Sequence, residues 1–222
     1  MAKHCQRTHL LYGKEIHSAI IWGDILIDFY TGGLREADRL HREFEQAAES
    51  CIDAQGLMGD VIDQVRDRYR NLIDKVQALF IKHLEHSGWP PTGRLSCTDI
   101  FDRIVAPKLQ ESGRRVAYFL VDALRYELGV ELEKQLSEDG QVELQAAFVQ
   151  LPSVTPVGMA SLLPGAGQSL SLGYANGRVV PMLDDAPIGT VTQRMEIFRK
   201  RYGQRFAEMV LNEFIKARKK LP

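Results

Sequence analysis

Val116-Ala117-Tyr118-Phe119-Leu120-Val121-Asp122 is an apolar run that stops on a carboxylate. It follows the charged pair Arg114-Arg115 and leads into Ala123-Leu124-Arg125-Tyr126-Glu127-Leu128, which reads as the start of a helix. A run that is apolar on both faces suits a central parallel strand covered on both sides. In the helix after it, Leu124, Leu128, Leu132 and Leu136 recur at i, i+4, so one face is fit to pack on a sheet. Ser137-Glu138-Asp139-Gly140 ends that helix, and Val142, Leu144 and residues 146–149 read as a second strand. Such a strand–helix–strand unit is expected to be parallel and right-handed. The expected fold class is therefore α/β, with a parallel sheet in the second part of the chain.

The next stretch is Leu151-Pro152-Ser153-Val154-Thr155-Pro156-Val157-Gly158-Met159-Ala160-Ser161-Leu162-Leu163-Pro164-Gly165. It places a hydroxyl in a proline-bounded turn before a short helix, read as Met159 to Leu163 and stopped by Pro164-Gly165. Asp122 and Thr155 then fall at the C-terminal ends of adjacent strands, where open α/β sheets collect ligands. A strand-end carboxylate is a rigid, hard-oxygen ligand for a divalent metal. A threonine hydroxyl is a poor nucleophile until a metal or a base lowers its pKa. A metal-bound Thr155 attacking phosphorus is a coherent chemistry, with phosphate charge met by N–H groups at the start of the helix after Pro156. Taken one at a time, Asp122 and Thr155 also suit plain helix caps. Arg125 suits either a phosphate contact or a surface ion pair, and Glu127 and Glu131 read as solvated helix faces.

Upstream the chain is helical. Residues 16–30 read as a buried helix stopped at Thr31-Gly32-Gly33. From Leu34 to His86 the pattern is close to seven-fold. Ala37, Phe44, Cys51, Met58, Val65, Leu72 and Leu79 form one seam, and Ala48, Ile62, Tyr69 and Val76 most of another. Gly56 and Gly59 interrupt it, each costing ~1 kcal/mol in a helix interior. That leaves a hairpin turning near Gly56 or one long, weakened helix. The seam serves either as a partner-binding coiled coil or as a layer packed on the same polypeptide.

Ser87-Gly88-Trp89-Pro90-Pro91-Thr92-Gly93 is a breaker cluster. It divides a helical region, residues 1–88, from an α/β domain, residues 94–222. Ser96 or Thr98 is placed to cap a helix through Ile100, Phe101, Ile104, Val105 and Leu109, kinked or shortened at Pro107. Residues 167–185 read as loop with a small hairpin at Asn176-Gly177. Residues 193–220 read as a closing helix.

Composition narrows the classes. The 222 residues carry a net charge of −1, with 45% hydrophobic and 26% charged side chains. No run approaches the ~18 apolar residues of a membrane span. Cys5, Cys51 and Cys97 are few and scattered, which points to a reducing, cytoplasmic setting. His4, His9 and His17 cluster with Cys5 but lack the spacing of a zinc site.

The two segments at residues 121–128 and 151–165 closely resemble the PglZ family of the alkaline phosphatase superfamily, a component of BREX-type phage-defence systems. The resemblance is strong over residues 114–166. It implies an alkaline-phosphatase-like sheet, Asp122 as a metal ligand, and Thr155 as nucleophile and second-metal contact. The implied cofactor is a divalent metal, zinc or manganese, and the implied partners are other phage-defence proteins. The superfamily completes its two-metal site with Asp and His residues downstream of the nucleophile. Here all six histidines lie before Asp122, and only Asp184 and Asp185 follow Thr155. The expectation is the first part of a longer protein, with an incomplete site and weak or absent phosphatase or phosphodiesterase activity.

Two other readings stand beside it. One is a non-catalytic defence component that holds partners through its helical region. The other is a nucleic-acid binder. Residues 193–222 hold nine basic residues (Arg194, Arg199, Lys200, Arg201, Arg205, Lys216, Arg218, Lys219, Lys220) against Glu196, Glu208 and Glu213, and such a stretch can touch DNA phosphates.

Overall fold

The computed structural model describes residues 27–51, 56, 58–91 and 93–209. Along the chain, a π turn at Tyr30–Leu34 leads into α1, Arg35–Ser50, and then α2, Gly59–Ser87. Next come α3 (Cys97–Ile100), a π turn at Phe101–Val105 and α4 (Ala106–Gln110). They are followed by α5 (Tyr126–Leu136), α6 (Thr155–Ser161) and α7 (Ala166–Ser169). The strands are β1 (Leu170–Ala175), β2 (Arg178–Leu183) and β3 (Ala186–Pro187), and α8 is Val191–Tyr202. The described residues form two compact units. One holds the chain up to Gly93 together with Leu124–Ala146, and the other holds Arg94–Ala123 and the chain from Ala147.

The first unit is helical. Thr31-Gly32-Gly33 does not stop the helix before it. Residues 27–29 are helical, and the glycines sit in a π turn that runs on into α1. The Thr31 hydroxyl donates to the Ile27 carbonyl at 2.9 Å, and the Arg35 guanidinium donates to the Thr31 carbonyl at 2.8 Å, so the wide turn keeps its carbonyls bonded. The helix expected over residues 16–26 and the cluster of His4, Cys5, His9 and His17 lie outside the described residues.

The seven-fold seam folds as a hairpin. α1 ends at an extended Cys51, Gly56 adopts φ +67°, and α2 begins at Gly59. Three contacts set an antiparallel register. Arg66 forks onto Glu45 at 2.9 and 2.7 Å, Tyr69 donates to Asp38 at 2.9 Å, and the His41 and Tyr69 rings stack at 3.7 Å. α2 closes at Gly88, whose φ of +74° suits only glycine and whose N–H bonds to Leu84.

α5 is turned differently from the expectation. Leu124, Leu132 and Leu136 are exposed, whereas Glu127 and Val130 are buried. Glu127 is only 1% exposed. Its carboxylate receives two N–H groups from Arg42 of α1, both at 3.2 Å, and one from Arg125 at 3.2 Å. A buried charge must be paired and hydrogen-bonded, and Arg42 presents a planar fork of the right shape. This pairing orients the helix over α1, so three of the row's four leucines are left exposed and Leu128 is half-buried. Glu127 is therefore not a solvated face.

The second unit carries the sheet, and that sheet is antiparallel, in the order β1-β2-β3. Asn176 and Gly177 both have positive φ, 52° and 74°, which is the two-residue hairpin turn expected there. Asp184 and Asp185 repeat the device between β2 and β3, at 48° and 61°. A core of Ala160, Leu163, Leu183 and Ile188 lies between α6 and the sheet, with Leu170, Ile197 and Phe198 packed against it. Phe101 centres an aromatic cluster with Tyr118, Phe198 and Tyr202.

The expected parallel sheet is not formed among the described residues. The 116–121 run carries no strand, and its burial alternates: Val116, Tyr118 and Leu120 are half-buried, while Ala117, Phe119 and Val121 are exposed. Phe119 is 82% exposed. Of residues 142–149, only Phe148 pairs, in one parallel bridge to Ser96. An apolar run becomes a strand only when a neighbouring backbone meets its N–H and C=O groups. Here Phe148 meets residues 95–97 instead of the 116–121 run.

Ser96 does cap the next helix, in a reciprocal box with Asp99. Pro107 follows the π turn and stands in the first turn of α4, where its missing N–H costs no bond. The expected helix over residues 193–220 is shorter in its described part. α8 starts at a Thr190/Gln193 capping box and ends at Gly203, φ +51°. Residues 210–220 lie outside the described residues. Among the described residues no helix is long and apolar enough to cross a membrane.

Candidate active site

Asp122 and Thr155 meet. The Thr155 hydroxyl donates to Asp122 Oδ2 at 3.0 Å, bridging 33 residues. The other carboxylate oxygen, Oδ1, accepts the N–H of Ala123 at 3.0 Å. Ala123 holds φ +55°, a left-handed conformation that costs an L-residue roughly 1–2 kcal/mol. That turn folds the backbone N–H back onto its own carboxylate. Both site residues are exposed.

Thr155 is the first residue of α6, not its cap. Val154 holds the N-cap position in extended backbone, and its carbonyl accepts the N–H groups of Val157 and Gly158. Val154 itself bonds back to Pro152 at 2.8 Å, which tightens the turn. With the helix started by backbone bonds, the Thr155 hydroxyl is left for Asp122. The plain-cap reading of Thr155 thus has no support in its hydrogen bonds.

An alkoxide is a far stronger base than a carboxylate, so the Thr155 proton stays on its own oxygen. Asp122 can orient the hydroxyl but cannot ionise it. A carboxylate and a hydroxyl are oxygen donors of the kind that hard divalent cations take. Two oxygens are a partial ligand set. Among the described residues no cluster of three or more His, Cys, Asp or Glu side chains is placed to hold a metal.

Of the other sequence candidates, Arg125 belongs to the helical unit and pairs with the buried Glu127. In the C-terminal stretch, Arg199 lies between Glu196 and Glu208, Arg201 reaches Asp102, and Arg194 donates to the carbonyls of Ile188 and Gly189. These pairings divert three of the nine cations from phosphate contact.

Two residues near the site escaped the sequence reading. Tyr118 donates to the Leu162 carbonyl at 3.2 Å, and Asp102 accepts the Gly165 N–H at 2.8 Å. The signal for Tyr118 was present. It carries a polar tip inside an apolar run and shares the strand-period face of Asp122.

Residues 100–221 match the family described as the BREX system PglZ alkaline phosphatase-like domain. The match takes in Asp122 and Thr155 and covers more than half of the chain, and the chain belongs to that family. The chain is 30% identical over 145 residues to an alkaline phosphatase-like protein PglZ of Bacillus cereus (strain H3081.97). It is 35% identical over 95 residues to an alkaline phosphatase-like protein BrxZ of Escherichia coli O9:H4 (strain HS). The first alignment covers 63% of this chain and 17% of the relative, the second 41% and 11%. The chain thus spans only a small part of the length of either relative. No solved structure matches it.

Proposed function

We propose that this chain supplies Thr155 and Asp122 to a metal-dependent phosphate-ester hydrolase of a BREX-type phage-defence system. The observation that carries the reading is the 3.0 Å contact between the Thr155 hydroxyl and Asp122. It joins two segments that are far apart in sequence and lie inside the family match. In this reading Thr155 is the nucleophile toward phosphorus, and Asp122 and Thr155 together hold a divalent cation, zinc or manganese. The cation, when bound, lowers the pKa of the hydroxyl. The chain's own part is orientation: Asp122 accepts the hydroxyl proton's bond and keeps Oγ1 at the exposed start of α6. The partners, by the same reading, are other components of the defence system.

The test is titration of Mn²⁺ into the purified chain by calorimetry, beside Asp122→Ala, followed by hydrolysis of a nitrophenyl phosphodiester. Loss of binding in Asp122→Ala, and loss of any hydrolysis in Thr155→Ala, is the expected result. With two oxygens as a partial set, wild-type hydrolysis is expected to be slow. Mn²⁺ binding that is equally strong in Asp122→Ala would overturn the assignment.

A further inference from the structure

α6 is only seven residues long. Helices below ~12 residues do not hold themselves, so the position of Thr155 is set by whatever grips α6. Its inner face is gripped by packing: Val157, Ala160 and Ser161 are buried, as is Leu163 just beyond. Its ends are gripped by polar contacts. At the start Thr155 bonds to Asp122. At the close, the turn Leu162-Leu163-Pro164-Gly165 is held twice. Tyr118 donates to the Leu162 carbonyl, and the Asp102 carboxylate takes the Gly165 N–H while Arg201 steadies its other oxygen at 3.3 Å. Gly165 holds φ +82°, a left-handed conformation that favours glycine.

Tyr118 and Asp122 stand four residues apart on one segment, and their contacts fall at Leu162 and Thr155, which bracket α6, so the segment and α6 touch at both ends. Sliding α6 by one residue, 1.5 Å, would break both contacts together. The Tyr118 ring is fixed in turn by its edge contact with Phe101, centroids 5.8 Å apart.

We propose that Tyr118 and Asp102 are positioning residues: they clamp the turn that closes α6 and thereby set the register of Thr155 against Asp122. The catalytic consequence rests on the hydrolase reading above; the register itself does not. The experiment is a methyl spectrum of the full chain labelled at threonine, for wild type, Tyr118→Phe, Asp102→Ala and Asp122→Ala, each titrated with Mn²⁺. The Thr155 methyl signal is expected to move in Tyr118→Phe and in Asp102→Ala toward its place in Asp122→Ala, while that of Thr190 stays. A Thr155 signal that stays in both variants overturns the proposal. Should Tyr118→Phe unfold the unit, the Thr190 signal collapses with the rest, and Asp102→Ala carries the decision.

Mn²⁺ separates the two claims. Broadening of the wild-type Thr155 signal supports the hydrolase site, and Tyr118→Phe should then need roughly 5-fold more Mn²⁺, the effect of one lost hydrogen bond. A moved Thr155 signal with an unchanged Mn²⁺ requirement would support the register and overturn its consequence for the metal site. If Mn²⁺ leaves the wild-type signal sharp, the hydrolase reading fails, and the shift alone decides the register.

Discussion

Two carboxylates of the helical unit and one of the other unit are set up in opposite ways. In the helical unit Glu127 and Asp38 are buried and hydrogen-bonded. Glu127 receives three N–H groups from Arg42 and Arg125, and Asp38 receives the hydroxyls of Tyr30 and Tyr69 at 2.7 and 2.9 Å. Burial raises both tyrosine pKa values, and the bond to Asp38 adds to it, so both stay protonated donors at any ordinary pH. In the other unit Asp122 is exposed, with one N–H on one oxygen and one hydroxyl on the other. A buried carboxylate whose lone pairs are used holds elements together and has nothing left for a ligand. An exposed one beside an oriented hydroxyl keeps lone pairs free. The buried cluster around Glu127 and Asp38 is therefore scaffolding, and the exposed pair of Asp122 and Thr155 is the candidate site.

That contrast can be broken at measured cost. Phe101 is 2% exposed and joins three other rings in the second unit. Phe101→Ala should cost about 4 kcal/mol, as for other buried Phe to Ala changes, read by urea unfolding. Phe119→Ser, on the exposed face of the same unit, should change stability by less than ~0.5 kcal/mol. Equal effects would mean that the exposed face of the 116–121 run is covered.

Next in size is Arg42→Ala. Removing one partner of a buried pair costs about 3 kcal/mol, because the remaining charge is left short of partners. Hydrogen exchange should rise in α1, α2 and α5 while α8 keeps its protection. Uniform loss of protection would show that the two units unfold as one.

The smallest expected effect is a pH dependence. Burial holds the His41 pKa below its usual value, against the pull of Glu45 and Asp38 and with help from Arg66 and Arg125. The folded state thus resists a proton that the unfolded chain accepts. Stability is full above the ordinary histidine pKa of about 6.5 and falls as pH drops below it, until the folded pKa is passed. The Tm should drop between pH 7.5 and 5.5, and His41→Phe, which keeps a ring against Tyr69, should flatten the drop. An unchanged slope would assign the effect to other groups.

Part of the local structure is legible in the sequence. The cap at Ser96, the turn at Asn176-Gly177 and the break near Gly56 follow from backbone chemistry that neighbours hardly alter. The hairpin of α1 and α2 follows from the same break together with an apolar seam on each side. Thr31-Gly32-Gly33 was misleading because glycine permits a helix stop without requiring one, and the π turn keeps its carbonyls bonded. The leucine row of α5 was misleading for another reason. Hydrophobic periodicity assumes that the apolar face wins, and here a carboxylate facing Arg42 took the inner side.

The sequence by itself determined which residue types stand at residues 122 and 155, and where the chain turns at Asn176-Gly177 and breaks near Gly56. These are properties of neighbouring residues, set by φ, ψ and local hydrogen bonds. The tertiary structure alone decided that Asp122 and Thr155 touch, that Glu127 is buried, and that the 116–121 run lacks strand partners among the described residues. Each of these depends on groups that lie 33 residues or more apart along the chain, or on a backbone that must arrive from elsewhere, and no periodicity encodes that arrival.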